Sequence, residues 1–335
     1  MVIRVGVNGL GRIGRAVVRA LAERTDTALT VVAVNDLTTP EALAHLLAHD
    51  STYGPWPGQV TARDNGLVLN GQTVRVSAEH DPARLDWDVD LVIEATGRFR
   101  TREAAADHLV SGARKVVITA PGKDVDATIV LGVNEHTYDP DRHHVVSNAS
   151  CTTNCVAPMA LVLHQTFGIR EGLMTTIHSY TNDQSLLDSP HRDPRRARSA
   201  AVNVIPTSTG AAKAVGLVLP QLAGRLDGLA VRVPVEDGSL TDLTVVLERP
   251  ASAEEVNRAF TEAAEGRLKD VLRCSTAPLV SRDIIGDPAS CVVDLGLTKV
   301  SGNTVKVFGW YDNEWGYANR TIDLALLMAA HLRQV

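Results

Sequence analysis

The chain has 335 residues, more than one ordinary hydrophobic core accommodates, so two domains are expected. An ordinary composition and a formal charge of −6 exclude the basic signature of a general nucleic-acid or anionic-membrane binder. The four cysteines, Cys151, Cys155, Cys274 and Cys291, form no paired CxxC ligand set and are too few to staple the chain. Reduced thiols, a cytoplasmic location and no metal site are therefore expected.

Residues 2–7 read as a buried strand that begins at once, without the apolar core and cleavage pattern of a signal peptide. No apolar run is long enough to span a bilayer. Gly9-Leu10-Gly11-Arg12-Ile13-Gly14 follows, then an apolar-periodic helix to about Glu23. Residues 30–35 read as a second strand with Asp36 at its C-terminal end. This βαβ unit places the glycines at the strand-to-helix turn, where they suit three jobs: a tight turn, close approach of a pyrophosphate, and close helix–strand packing. The helix N-terminus would hold the phosphates. The Asp36 carboxylate would accept hydrogen bonds from a ribose and repel a 2′-phosphate, so NAD is expected over NADP.

Residues 91–95, 115–119 and 145–147 read as further buried parallel strands, and the alternation with helices implies a doubly wound parallel sheet. Ser150-Cys151-Thr152-Thr153-Asn154-Cys155 then precedes the apolar run 156–163. That run reads as a helix with Cys151 near its N-terminus, where the dipole and unpaired N–H groups favour a thiolate. His178 is a candidate partner, and a thiolate beside a histidine is a nucleophile suited to carbonyl carbon. Residues 173–178, 230–234, 241–248 and 305–310 read as strands of a mixed or antiparallel sheet. Residues 182–199 form a long loop rich in Asp, Pro and Arg, and residues 319–334 a final amphipathic helix.

Together with Ala95-Thr96-Gly97-Arg98-Phe99, His178-Ser179-Tyr180-Thr181-Asn182-Asp183-Gln184, Pro206-Thr207-Ser208-Thr209-Gly210-Ala211-Ala212-Lys213 and Trp310-Tyr311-Asp312-Asn313-Glu314, these blocks carry a family likeness. The chain resembles phosphorylating glyceraldehyde-3-phosphate dehydrogenase of the bacterial and organellar type along essentially its whole length. The resemblance implies an α/β protein. A Rossmann-type NAD-binding domain would span 1–150, completed by a C-terminal helix at 316–335. An α+β catalytic domain with a mixed or antiparallel sheet would span 151–315. It implies oxidation of D-glyceraldehyde 3-phosphate with NAD and inorganic phosphate, through a thioester on Cys151 with His178 as base. It assigns phosphate binding to Ser150, Thr152, Thr181, Arg196, Thr209, Gly210 and Arg232. Cofactor contacts fall to Gly9, Gly11, Arg12, Ile13, Gly14, Asp36, Thr96 and Thr119, with Asn313 fixing the nicotinamide carboxamide. The family is a homotetramer, and the 182–199 loop resembles its interface loop.

Three stretches depart from the family pattern. His80 stands where an arginine near the adenine is usual, and Ser189 replaces a common leucine. Val235-Glu236-Asp237-Gly238-Ser239 adds two acids near the expected phosphate region. The runner-up activity is that of an erythrose-4-phosphate dehydrogenase, which shares the cysteine, histidine and dinucleotide motifs but hydrolyses its thioester. The intact Thr207-Ser208-Thr209-Gly210 and Arg232 favour the phosphorylating reaction. The acidic departure also suits an inhibitor-insensitive isoform. His45 and His49, spaced i, i+4, lack an evident third metal ligand, and Cys155 reads as a packing residue before it reads as a redox partner of Cys151.

Overall fold

A computed structural model describes residues 2–24 and 27–332. The chain divides into two compact units: residues 1–129, 136–149 and 318–335 form the first, and 130–135 and 150–317 the second.

The first unit is built on a nine-stranded sheet. In chain order it contains β1 (Ile3–Asn8), α1 (Arg12–Glu23), β2 (Leu29–Asn35), α2 (Pro40–Ala48), the short pair β3 (His49–Asp50) and β4 (Gly54–Pro55), β5 (Val60–Arg63), β6 (Gly66–Leu69) and β7 (Gln72–Ser77). Next come β8 (Leu91–Glu94), α3 (Arg102–Val110), β9 (Lys115–Ile118), β10 (Ala127–Thr128) and β11 (Val145–Ser147). The strand order is β10-β11-β9-β8-β1-β2-β7-β6-β5. Pairing is parallel from β10 through β7, and the β5–β6–β7 meander is antiparallel. Strands β8, β9 and β11 are buried at every residue, as continuous apolar runs in a parallel sheet require. The meander was not visible in the sequence pattern, because its outer strands β5 and β7 are largely polar or exposed and the apolar β6 is only four residues long.

The turn between β1 and α1 shows why glycine is needed there. Gly9 has φ +91°, which disfavours other residues. A β-carbon on Gly14 would lie 1.9 Å from the Gly9 carbonyl oxygen, so helix and turn touch backbone to backbone. Gly11, the N-cap of α1, faces open space and offers no side-chain cap. No side chain caps the first turn, an arrangement that suits an anion there.

The second unit begins with α4 (Cys151–Phe167), β12 (Ile169–Ser179), β13 (Ile205–Ser208), α5 (Ala211–Val218), β14 (Leu226–Val233), β15 (Ser239–Leu247) and α6 (Ala253–Glu265). It continues with β16 (Leu272–Ser275), β17 (Cys291–Asp294), β18 (Lys299–Ser301) and β19 (Thr304–Tyr311). The mixed sheet runs β13-β14-β12-β15-β19-β17-β16, with β18 paired to β19. Helix α4 packs on β12, β15, β17 and β19, α5 on β14 and α6 on β16. Burial along β15 and β19 alternates strictly, so one face lies under helices and the other is uncovered within the chain.

The final helix, α7 (Trp315–Leu332), starts four residues before the sequence pattern suggested. One Asp312 carboxylate oxygen accepts hydrogen bonds from the N–H groups of Glu314 and Trp315, at 2.9 and 2.7 Å, and nucleates that earlier turn. The expected tail of the helix at 333–335 lies outside the described residues. Replacing Gly14 with alanine should lower stability by about 2–3 kcal/mol, the cost of forcing atoms into a filled space. Urea unfolding measures it, and an unchanged midpoint would mean that the close packing at this turn is dispensable.

Candidate active site

Ser150 caps α4: its Oγ accepts the Thr153 N–H at 3.0 Å. Cys151 is therefore the first residue of the helix. On the neighbouring sheet, β12 and β14 run parallel, with His178 in register with Arg232. The result is a compact cluster. Cys151 Sγ lies 3.5 Å from His178 Nε2. His178 Nδ1 lies 2.8 Å from the Ser179 carbonyl oxygen and 3.0 Å from Arg232 Nη1. Arg232 Nη1 also donates to the Ser179 carbonyl at 3.0 Å and to Thr181 Oγ1 at 3.3 Å.

The local electrostatics qualify one expectation from the sequence. Burial pushes the Cys151 thiol up to about 11, against the opposing pull of the Arg232 charge and of hydrogen bonds from Thr152. Burial and then the Arg232 charge pull His178 down to about 3, opposed by the Ser179 carbonyl. Burial thus opposes the thiolate that the helix N-terminus favours, and pulls the pair toward a thiol beside a neutral imidazole. A neutral imidazole is the form that can accept a proton, so the geometry suits general-base activation of the thiol.

Two more side chains fix this arrangement. The buried Tyr311 hydroxyl lies 2.8 Å from both Thr152 Oγ1, in the first turn of α4, and Thr176 Oγ1, on β12. Its ring also meets the His178 ring edge-on at 6.0 Å. The Asn313 amide oxygen accepts from Ser179 Oγ at 3.0 Å and Ser239 Oγ at 2.6 Å. That locks the amide with its Nδ2 left to donate, which fits recognition of a carboxamide oxygen. Ser179 and Tyr311 were absent from the sequence-derived site. Both sit inside the quoted motifs, but nothing in spacing reveals a hydroxyl bridge.

The anion-binding candidates divide by how they are held. Arg196 is tied down: Nε donates to Thr207 Oγ1 at 2.9 Å, Nη2 to the Ser208 carbonyl at 3.1 Å, and Nη1 pairs with Asp183. Thr209 and Gly210 form the start of α5, where Gly210 is the N-cap and faces open space. Ser150 Oγ and Thr152 Oγ1 are both engaged locally, with Thr153 and Tyr311.

In the first unit the residues expected at a dinucleotide converge on the β1–α1 turn. Asp36 accepts the Leu10 N–H at 2.8 Å, which joins the end of β2 to the glycine turn. Arg12 pairs with Asp50 at 2.5 Å and lies over the Tyr53 ring, while Ile13 is half-buried. Thr119 Oγ1 and N both donate to the Glu94 carbonyl oxygen. The Glu94 side chain, only 1% exposed, accepts from the Thr96 N–H and hydroxyl and from Asn8 Nδ2, and lies 2.9 Å from His108 Nε2. Sequence reasoning missed this hub. Its signal was an acid closing an otherwise apolar strand.

The departures have structural consequences of their own. Glu236 pairs with Arg282, and Asp237 is buried and accepts the Gly238 N–H. His80 and Ser189 are exposed, and Ser189 Oγ bonds Ser185 Oγ within the loop. His49 opens β3 rather than ending α2. Among the described residues no group of three or more His, Cys, Asp and Glu could hold a metal ion. Cys155 is fully buried, and a β-carbon on Gly309 would lie within 3.1 Å of the sulfurs of Cys155, Met159 and Cys291.

A thiol–imidazole pair in one unit and a strand–glycine–helix turn with Asp36 beside it in the other are the features of an NAD-dependent oxidoreductase. Comparison with known proteins makes this specific. Residues 3–102 match the family described as glyceraldehyde 3-phosphate dehydrogenase, NAD binding domain, and residues 150–313 match its C-terminal domain. Glyceraldehyde-3-phosphate dehydrogenase 2 of Streptomyces arenae is 57% identical over 99% of this chain and 100% of its own. The Geobacillus stearothermophilus enzyme of that name is 55% identical over 98% of this chain and 99% of its own. Glyceraldehyde-3-phosphate dehydrogenase 1 of Bacillus subtilis is 56% identical over the same shares. The chain belongs to the glyceraldehyde 3-phosphate dehydrogenase family.

The Glu94 hub is testable. In Glu94→Gln one carboxylate oxygen becomes an NH2 facing donors, which should cost about 1–3 kcal/mol and weaken NAD binding measured by calorimetry. Iodoacetamide labelling of Cys151, in the other unit, should be unaffected. Unchanged stability and NAD affinity would remove Glu94 from this role.

Proposed function

We propose that the protein oxidises D-glyceraldehyde 3-phosphate to 1,3-bisphosphoglycerate with NAD and inorganic phosphate, through a thioester on Cys151. The observation that carries this is the Cys151–His178 contact at the capped start of α4. His178 Nε2 takes the proton as Cys151 Sγ bonds the aldehyde carbon, giving a hemithioacetal. The α4 N-terminus, including the Cys151 N–H, and the resulting imidazolium stabilise the oxygen that gains charge. NAD, when bound, supplies the hydride acceptor that converts the hemithioacetal to a thioester. Inorganic phosphate attacks that carbonyl and expels the Cys151 sulfur, which recovers its proton from His178.

The cofactor's fit rests on the turn itself. Gly9 and Gly14 pack backbone to backbone, Gly11 opens the approach, and the first turn of α1 has no side-chain cap. Gly9, Gly11, Arg12, Ile13 and Gly14 would surround the pyrophosphate side, Asp36 the ribose, Thr96 and Thr119 the strand ends, and Asn313 the carboxamide. For the two phosphates, substrate and attacking, the candidates are Ser150, Thr152, Thr181, Arg196, Thr209, Gly210 and Arg232. Arginine forks, hydroxyls and helix-start N–H groups suit tetrahedral oxyanions.

We further propose a homotetramer in the cytoplasm. The sheet face away from the helices exposes Leu173 and Leu229, at 68% and 44%, and the 182–199 loop exposes Leu186 and Leu187, at 77% and 74%. Apolar surface of this kind suits a subunit contact. All four cysteines are free, as in a reducing compartment. Among the described residues no helix is long and apolar enough to cross a membrane.

Purified protein should reduce NAD with glyceraldehyde 3-phosphate only when inorganic phosphate is present. Cys151→Ser should lose at least roughly a thousandfold of that rate. Turnover of erythrose 4-phosphate without any need for phosphate would displace this reading. Asp36→Ala should weaken NAD binding about tenfold, the loss of a charged hydrogen bond, and admit NADP. Retained discrimination in that variant would place cofactor choice elsewhere.

A further inference from the structure

One nitrogen in the active site receives two incompatible demands. His178 Nδ1 faces the Ser179 carbonyl oxygen at 2.8 Å, an acceptor that asks for a proton on Nδ1. It also faces Arg232 Nη1 at 3.0 Å, a donor that asks for a lone pair there. A neutral imidazole carries one proton and satisfies only one neighbour. With the proton on Nδ1, the lone pair of Nε2 points at Cys151 Sγ and the ring is a base toward the thiol. With Arg232 donating to Nδ1, the proton sits on Nε2, and the ring cannot take one from sulfur.

Arg232 is equipped to resolve the conflict by leaving. Its hydrogen bonds run only to neutral groups, the Ser179 carbonyl, Thr181 Oγ1 and His178, and its Nε is buried without a partner. Arg196 in the same loop-and-sheet region is anchored by Asp183 instead. A half-buried guanidinium whose hydrogen bonds go to neutral groups is drawn strongly to an incoming oxyanion.

We infer that an oxyanion bound by Arg232 sets the tautomer of His178, withdrawing the guanidinium from Nδ1 so that Nδ1–H donates to Ser179 and Nε2 becomes the base for Cys151. Arg232 then acts as a positioning residue through His178 as well as a ligand for phosphate. The inference rests on the reading of Arg232 as a phosphate ligand. Its consequence is that the thiol is activated when phosphate is in place and held dormant otherwise. The switch moves one proton: the Nε2 proton leaves to solvent as Nδ1 takes one up from solvent, so the ring stays neutral. In the activated tautomer the Cys151 proton then moves to Nε2 while the Nδ1 proton stays on the ring.

Simple electrostatics makes the opposite forecast, which gives the test its edge. The positive charge of Arg232 favours the thiolate, so neutralising or deleting that charge should slow the thiol if charge alone matters. The experiment is alkylation of Cys151 by the uncharged reagent iodoacetamide in NAD-free full-length protein. Peptide mass spectrometry separates Cys151 from Cys155, Cys274 and Cys291. Adding inorganic phosphate should accelerate wild-type alkylation saturably, by up to about tenfold, the ratio one hydrogen bond from a charged donor sets. Arg232→Gln should react faster than wild type without phosphate and should not respond to it.

The 15N resonance of His178 Nε2 should move from the protonated to the lone-pair range as phosphate is added. Phosphate that slows labelling or leaves it unchanged in the wild type would overturn the inference, and so would slower labelling of Arg232→Gln. The phosphate titration uses wild-type protein, so it stands even where the variant folds poorly. Phosphate-dependent NAD reduction with glyceraldehyde 3-phosphate, measured in parallel, separates the two ideas. Turnover without phosphate-gated labelling refutes the switch alone, and gated labelling without turnover refutes the assigned activity alone.

Discussion

The hydroxyl of Tyr311 is the constraint on which the reactive geometry depends. It bridges Thr152 in the first turn of α4 and Thr176 on β12, two residues before His178. A helix and a strand meeting face to face could slide by an ångström with little loss of apolar contact. A buried hydroxyl with two partners cannot follow such a slide without losing a hydrogen bond in a place where water does not compensate. The bridge thus fixes the distance between thiol and imidazole, while the β12–β14 register fixes what stands on the other side of the ring.

The two units handle polar burial differently. In the first, a carboxylate at the end of β8 gathers donors from β1 and from the Thr96 turn, so the strand ends that face a cofactor are tied to one another. In the second, hydroxyls and amides do the same work, and the cation acting on the sulfur is the half-buried Arg232. This division fits the chemistry. Dinucleotide binding needs a rigid cradle, whereas the proposed role of Arg232 needs a cation whose hydrogen bonds can be exchanged for those of an oxyanion.

Much of this was legible from residues alone. The glycine turn, Asp36, the apolar parallel strands and the cysteine at a helix start follow from patterns with a direct physical meaning. The meander of β5 to β7 escaped notice because its one apolar strand is four residues long and the strands flanking it are largely polar or exposed. The early start of α7 depended on the Asp312 side chain, not on helical periodicity. The balance at Cys151 was only half visible, because the helix N-terminus can be read in sequence while the desolvation that opposes it cannot. Glu94, Ser179 and Tyr311 share that character: each matters through a partner far away in the chain.

The back of α4 carries a separate implication. Around Gly309 the sulfurs of Cys155, Met159 and Cys291 leave no room even for one added carbon. An oxygen atom on any of them would need a comparable volume. Oxidation of these sulfurs toward Gly309 is therefore sterically closed while the helix remains seated on its sheet. Oxidised Cys155, Met159 or Cys291 recovered from a cell would act as a chemical record that this layer had opened, a molecular tamper seal beneath a helix whose exposed end is built to react.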